Sequence, residues 1–432
     1  MKYRNQLFKI LPGLVVAICA FGCTVSAPAA NGTLIQILQS DRSRIVPAAP
    51  DAARVPELVD GNTAFALDLY RVLFDQAPNS MYSPYSLSVA LAMTYAGAGG
   101  ETERQMAEVL HYPLPQAQLH QAFNTLDQAL IAQDQETDEK AFELYMDNAL
   151  WGQQGYPFLD TFLDTLAEHY GAGLRVVDFA RTKEARQAIN QWISEQTAHH
   201  ITELLPPGVV GGETALVLTN AISFKAAWMH PFAETMTRDG TFTLPNGQQI
   251  TVPMMHHATQ LGYAQTQGVQ AIELPYAGGT TSMVILQPLD STLQAFVQEL
   301  NAQKLEGILG AIKPTNMALS MPKFQFSTTY HLKDALAELG MIDAFAAGEN
   351  GADFSGMDGT NELFIREVCH QAQIAVDEAG TEASAASAVV MERKGPSAEQ
   401  NVDINQPFLF LIRDIETGTI LFFGHVTNPA TD

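Results

Sequence analysis

The sequence predicts a mixed fold of helices and strands. Three observations carry this. Asn62 to Phe74 repeats apolar residues at helical spacing, with Phe65, Leu67, Leu69, Val72 and Leu73 supplying the face. Leu216 to Trp228 is a long, nearly unbroken apolar run, as expected of a strand buried on both faces. Further strand patterns follow it in pairs, around the turn signals Asn246-Gly247 and Ala277-Gly278-Gly279. The 432 residues are 47% hydrophobic and 16% charged, which supplies a large core and argues against overall disorder. Length alone would allow two or three domains.

Residues 1–30 read as an export signal. Lys2, Arg4 and Lys9 form a basic start, and Leu11 to Gly22 is apolar but too short for a permanent span. Ala20-Phe21-Gly22-Cys23 resembles a bacterial lipobox, which would make 1–23 the signal and Cys23 the lipidated, membrane-attached residue. Phe21 is off that pattern, and Val25-Ser26-Ala27 or Ala27-Pro28-Ala29 would suit an ordinary signal peptidase. The expected product is secreted, periplasmic or held on the outer membrane. Residues 24–58, rich in Ala, Pro, Ser and Asp, read as a tether or loose arm, with the domain proper over 59–432. Beyond the signal the single cysteine is Cys369, in an apolar run that suits a buried structural thiol.

Within the domain, Ser80 to Tyr82 is a short strand. It leads to a helix that starts at Ser83 with Pro84 in its first turn. That helix is apolar nearly all round and should lie buried behind a sheet. Asn220 is polar inside an apolar strand and needs hydrogen-bond partners. Asp239 to Met255 and Gln270 to Pro288 are strand pairs, and Ser291 to Leu309 is a helix. Met317 to Phe326 is an alternating strand, and Leu332 to Leu339 is a helix closed by Gly340. Pro407 to Asp414 and Thr419 to His425 form a closing hairpin.

One stretch stands apart. Gln373 to Val376 is strand-like and is followed by Asp377, Glu378, Ala379, Gly380, Thr381 and Glu382. Ala383, Ser384, Ala385, Ala386, Ser387 and Ala388 come next, almost all small. The stretch then reaches Glu392-Arg393-Lys394-Gly395-Pro396. Alone, an Ala/Ser run is a linker. Here it is bracketed by strand patterns and ends in a basic pair before Gly-Pro, an accessible protease substrate.

Glu378-Ala379-Gly380-Thr381-Glu382-Ala383-Ser384-Ala385-Ala386 resembles the hinge of an inhibitory, bacterial-type serpin, with the reactive-centre loop over 378–404. Other motifs of that family follow the same order. Ser83 and Ser86 resemble the polar shutter beneath its main sheet, to which Asn220 and His370 would also belong. Trp228 and Lys323 resemble its breach, with Lys323 paired to Glu378. Asp147 to Trp151 resembles a strand of the main sheet, and Ile189-Asn190 with Trp192 the helix across it.

The resemblance implies an α+β single domain with a large central sheet, two smaller sheets and eight or nine helices. It implies a monomeric suicide inhibitor of serine proteases rather than an enzyme. The exposed loop would be cut and would insert into a main sheet left with a gap in its hydrogen bonding. Counting sixteen residues on from Glu378 places the scissile bond at Lys394–Gly395, with Arg393 as the alternative. The partner is then a serine protease that prefers Lys or Arg. A non-inhibitory serpin, acting as a binding protein or chaperone, is the alternative. Its hinge would carry bulky or charged residues or Pro, which this hinge lacks.

No nucleophile elbow, zinc-protease motif or phosphate-binding loop occurs. A plain periplasmic binding module also suits the composition. The net charge of −24 argues against nucleic acid and polyanions as partners. His199-His200 with Glu203 and His256-His257 invite a metal reading. Adjacent strand residues point to opposite faces, however, so neither a metal nor another cofactor is expected.

Overall fold

A computed structural model describes residues 35–48, 52, 54–135, 142–197, 199, 201–348, 351–381 and 400–431. Sixteen strands and ten α-helices lie among the described residues. The large sheet has the order β1-β4-β3-β5-β13-β12-β11. Its strands are β1 (Gln36–Leu38), β3 (Phe142–Gln153), β4 (Leu174–Val177), β5 (Leu216–Ala227), β11 (Phe324–His331), β12 (Ile365–Val376) and β13 (Gly380–Thr381). The other nine strands are β2 (Asn79–Tyr82), β6 (Arg238–Thr243), β7 (Gln249–Thr266), β8 (Val269–Pro275), β9 (Thr281–Pro288), β10 (Lys313–Pro322), β14 (Gln400–Asp403), β15 (Phe408–Asp414) and β16 (Ile420–Val426). The two smaller sheets are halves of one array, because β7 runs through both. Its start (Gln249–Met254) pairs with β6, its middle (Met254–Tyr263) with β10, and its end (Gly262–Thr266) with β8.

The helix Pro84–Tyr95 is buried along its whole length and packs on β3, β5 and β16, between the two sheets. Ser83 caps it by accepting from the Ser86 N–H at 3.2 Å, as a serine ahead of Pro84 should. On the opposite face of the large sheet lies the helix Thr182–Gln196. Ile189 and Ile193 there join Trp151, Val217, Ala221 and Cys369 in a second core. Arg175 of β4 lies over the ring of Trp192 at 4.1 Å and fastens this helix to the sheet. Cys369 is fully buried, and burial pushes its thiol well up, so it serves packing.

Several expectations need correction. Ser291 to Leu309 is two helices, Leu293–Glu299 and Ala302–Gly310, because Asn301 adopts an extended cap and accepts from the Lys304 N–H. Met317 to Phe326 is two strands in different sheets. Pro322 has no N–H to continue the ladder, and Lys323 turns to donate its N–H to Pro253 O at 3.1 Å. Lys323 therefore sits where the chain changes sheets. The first helix begins at Val55, not Asn62, with Pro56 in its first turn and Leu58 and Val59 already buried.

The arm expected over 24–58 is in part a strap, so the domain reaches back past Val59. Gln36–Leu38 extends the sheet edge antiparallel to β4. Arg44 donates to Asn124 Oδ1 at 2.9 Å and to Asp127 Oδ2 at 2.6 Å. Ile45 bonds Glu168 O through its N–H and accepts from Asn124 Nδ2, each at 2.8 Å. Ser40 and Arg42 add contacts to Asp164, and Ile35 and Leu38 pack against the cores, so the anchoring is spread over short polar and apolar contacts that composition does not reveal. Arg44→Ala removes two charge-assisted bonds in a three-quarters buried setting, and should lower stability by about 1–3 kcal/mol. Thermal unfolding of the two proteins measures this, and an unchanged midpoint would show that the strap holds nothing.

Candidate functional site

The upper end of the large sheet is assembled around two residues. Gly380 pairs with Ala227, and Thr381 pairs with Ala226 on one side and Val376 on the other. Strand β13 is thus wedged between β5 and β12, antiparallel to both. A side chain at Gly380 would collide with the Ala226 carbonyl, so only glycine permits this approach. Thr381 is fully buried, and its hydroxyl meets the Tyr276 hydroxyl at 2.7 Å. The ring of Tyr276 stacks on Trp228 at 4.6 Å, and Trp228 Nε1 donates to Asp377 O at 3.0 Å.

Glu378 is held just before the wedge. Lys323 Nζ donates to its Oε2 at 2.7 Å, and the Thr237 hydroxyl to its Oε1 at 2.6 Å. Burial works to raise the carboxyl's pKa, but these hydrogen bonds outweigh it and the group stays below its ordinary value. The structure therefore brings Trp228, Lys323, Glu378, Gly380 and Thr381 to one place. Tyr276 and Thr237 were not foreseen, because neither has a local signal. Each lies more than a hundred residues from its partner.

Below the wedge the sheet is closed. Strands β5 and β12 pair in parallel from Leu216–Ile365 to Ser223–Gln373. This corrects the expected gap in the main sheet. The backbone groups that a gap would strand are paired directly, and the opening is confined to the top, where β13 enters.

At the middle of that pairing, Asn148, Asn220 and His370 stand in register across β3, β5 and β12. His370 Nδ1 bonds Asn220 Oδ1, and its Nε2 accepts from the Ser83 N–H at 3.1 Å. Because Nε2 accepts, the proton sits on Nδ1, and the ring is neutral. Asn220 Nδ2 donates to Ser86 Oγ at 2.6 Å and to Asn148 Oδ1. The Ser86 hydroxyl closes the ring by donating to Asn148 Oδ1 at 2.9 Å. Ser83 makes no direct bond to Asn220 and reaches it through His370 and through Ser86, whose N–H its hydroxyl accepts. Asn148 was missed as a partner, although a second asparagine in a sheet strand was a usable signal.

Glu382, Ala383, Ser384, Ala385 and Ala386 of the hinge, and Arg393, Lys394 and Gly395 of the reactive bond, lie outside the described residues, as does Cys23. Of the metal candidates, His199 bonds Ser194 Oγ and Glu203 pairs with Arg186. No group of three or more metal-binding side chains occurs among the described residues.

Desolvation holds His370 down to about 3, and does the same to His120 at about 3 and His425 at about 4. Their unfolded value is about 6.5. Below it, unfolding takes up protons that the folded chain refuses, so stability falls as pH drops from about 6.5 towards 3. Above about 6.5 these groups contribute no slope. Each adds up to about 1.4 kcal/mol per pH unit within that window. Thermal unfolding between pH 8 and 4 should show this loss, and His370→Gln should remove one proton's share of the slope. An unchanged slope in that variant would mean that His370 is not held neutral.

A family model described as serpin (serine protease inhibitor) matches residues 60–429. The chain is 39% identical to a leukocyte elastase inhibitor of Xenopus laevis, over 85% of this chain and 98% of that one. It is 37% identical to an uncharacterised serpin-like protein of Thermococcus kodakarensis, over 86% of each. Among solved structures it resembles the thermophilic serpin tengpin in its native state, with a TM-score of 0.79 at 27% identity, over 90% of this chain and 97% of that one. It also resembles uncleaved ovalbumin, with a TM-score of 0.77 at 27% identity, over 86% and 100%. A family model that spans the wedge, the closed sheet and the strand after the loop, with relatives this similar over most of their length, leaves one conclusion: the chain belongs to the serpin family.

Proposed function

We propose that the chain is a single-use inhibitor of trypsin-like serine proteases, acting by cleavage and insertion of its reactive loop. The observation that carries this is the wedge of Gly380 and Thr381 between β5 and β12. Its antiparallel direction is the one an inserting strand would continue, towards the base of the sheet. The protease serine attacks the Lys394 carbonyl, an ester forms, and the Gly395 amine leaves with the C-terminal part. The freed loop then extends β13 downward. It replaces the β5–β12 pairing and the His370–Asn220 bond with pairing on both edges. Each new backbone bond contributes about 0.5–1.5 kcal/mol net. The outcome is a race between insertion and hydrolysis of the ester.

The basic pair Arg393-Lys394 supports a protease whose specificity pocket holds a carboxylate. The leader and Cys23 support export and lipid attachment. Strand β1 joins β4 beside Trp151–Gln153, level with Leu216 at the start of β5. The wedge meets Ala226–Ala227, about ten residues or roughly 33 Å away.

Mixing with trypsin should give an SDS-stable band at the summed mass. Mass spectrometry of the released peptide should show a start at Gly395. A start at Lys394 would move the scissile residue to Arg393, and inhibition of elastase-like enzymes alone would overturn the specificity. Thr381→Arg should turn the inhibitor into a substrate. An unpaired guanidinium beside Tyr276 costs several kcal/mol to bury, so it would be driven out of the wedge, and about 3 kcal/mol for re-burying it on insertion slows that step more than a hundredfold. The gel should then show cleaved inhibitor without the covalent band. An undiminished band would mean that this hinge does not drive inhibition.

A further inference from the structure

Between Cys23 and the first helix the chain carries three basic residues, Arg42, Arg44 and Arg54, and the structure treats each differently. Arg54 lies in the turn that opens the helix. Its backbone is helical, its carbonyl accepts from the Leu58 N–H at 3.2 Å, and its guanidinium reaches Gln121 Oε1 at 3.2 Å. Arg44 keeps its guanidinium on Asn124 and Asp127, with only 25% of the side chain exposed. The Arg42 side chain is 65% exposed, and its carboxylate neighbours Asp164 and Glu168 stand 3.7 and 3.8 Å away. Exposed pairs of that length hold a side chain weakly. Asp41 and Ser43 on either side are exposed too, and residues 39–48 belong to no helix or sheet. A protease that prefers Lys or Arg needs an accessible, extendable segment and a free basic side chain for its carboxylate-bearing pocket. Of the three arginines, Arg42 alone offers both.

We propose that the Arg42–Ser43 bond is a release site, cut by proteases with the same Lys/Arg preference as the reactive bond, and that the cut frees the domain from its anchor. The proposal rests on the reading that Cys23 is lipidated. Water adds across the amide, leaving a carboxylate on Arg42 and an ammonium on Ser43. The contacts of the strap divide at that bond. Arg44 and Ile45, which tie it to Asn124, Asp127 and Glu168, come after the bond and stay with the domain. Before it come the pairing of Gln36–Leu38 with β4, the partly buried Ile35 and Leu38, and the bond from Ser40 to Asp164. Three paired residues, with Ile37 55% exposed, keep their place chiefly because the chain links them to the domain. Cutting the link removes that high effective concentration, and so short a strand does not stay bound by itself. The wedge and the Asn220–His370 row lie far along the chain from the cut, so the released domain keeps its loop.

The test uses the full chain expressed with its leader and carrying Arg393→Ala and Lys394→Ala, so that the loop neither traps trypsin nor is cut by it. The washed membrane fraction is treated with dilute trypsin. The domain should appear in the supernatant, and its N-terminal sequence should begin at Ser43. Adding Arg42→Gln should slow release at least about tenfold, because the pocket loses the cation it is built to pair. The thermal unfolding midpoint of that variant should not move, since the side chain is exposed and weakly held. Release at an unchanged rate in the variant, or a product beginning at Ile45 or Val55, would overturn the site. A domain that stays on the membrane after trypsin would overturn the release. Should the protein be soluble before any trypsin is added, the lipid reading falls and takes the release with it. The N-terminal sequence of the trypsin product then still decides whether Arg42–Ser43 is the bond that is cut.

Discussion

Strands β5 and β12 run side by side in parallel, and the state of the large sheet depends on that contact. Everything else at its centre is arranged around it. Asn220 and His370 join the two strands side chain to side chain, and Asn148 extends the row to β3. Ser83 and Ser86, at the start of the buried helix, complete the network from below. Each member satisfies another, and all but the partly exposed Asn148 are fully buried, so the row holds as a unit. A neutral imidazole is what lets this happen, because a second ring proton would evict the Ser83 N–H.

The same contact explains why the top of the sheet is built as it is. Parallel pairing ends at Ser223 and Gln373, and the strands splay above it. The opening would leave backbone groups of Ala226, Ala227 and Val376 unpaired. Gly380 and Thr381 pair with them instead, in a slot that admits no larger residue at Gly380. The wedge is clamped from outside by Lys323 and Thr237 on Glu378, and from inside by Tyr276 on Thr381. Closed sheet below and filled slot above make one continuous surface, and the wedge is the point inside it from which a strand could grow.

The remainder of the fold supplies stiffness around this point. The buried helix fixes β3 and β5 from one side, and the Trp192-bearing helix covers them from the other. The strap at the opposite end of the sheet closes the β4 edge, which would otherwise offer unpaired backbone to another chain. It is held by polar bonds from Ser40, Arg42, Arg44 and Ile45 together with Ile35 and Leu38, which pack against the two cores.

The elements legible in advance were those with a local cause. The capped helix after Ser83, the strand containing Asn220, the hairpin turn at Asn246-Gly247 and the small-residue hinge all declare themselves within a dozen residues. Asn220 announced a need for partners, because a polar group in an apolar strand costs free energy unless bonded. Lys323 and Glu378 were paired through the family pattern alone. Tertiary structure decided what depends on distant strands lying together. It identified Asn148 as the third member of the row, placed Tyr276 and Thr237 at the hinge, and split the chain between sheets at Pro322–Lys323. It also closed the sheet that the family pattern had suggested was open. Periodicity reports which face of a strand is buried, whereas register across a sheet is set by side chains far apart in sequence, and no local pattern encodes it.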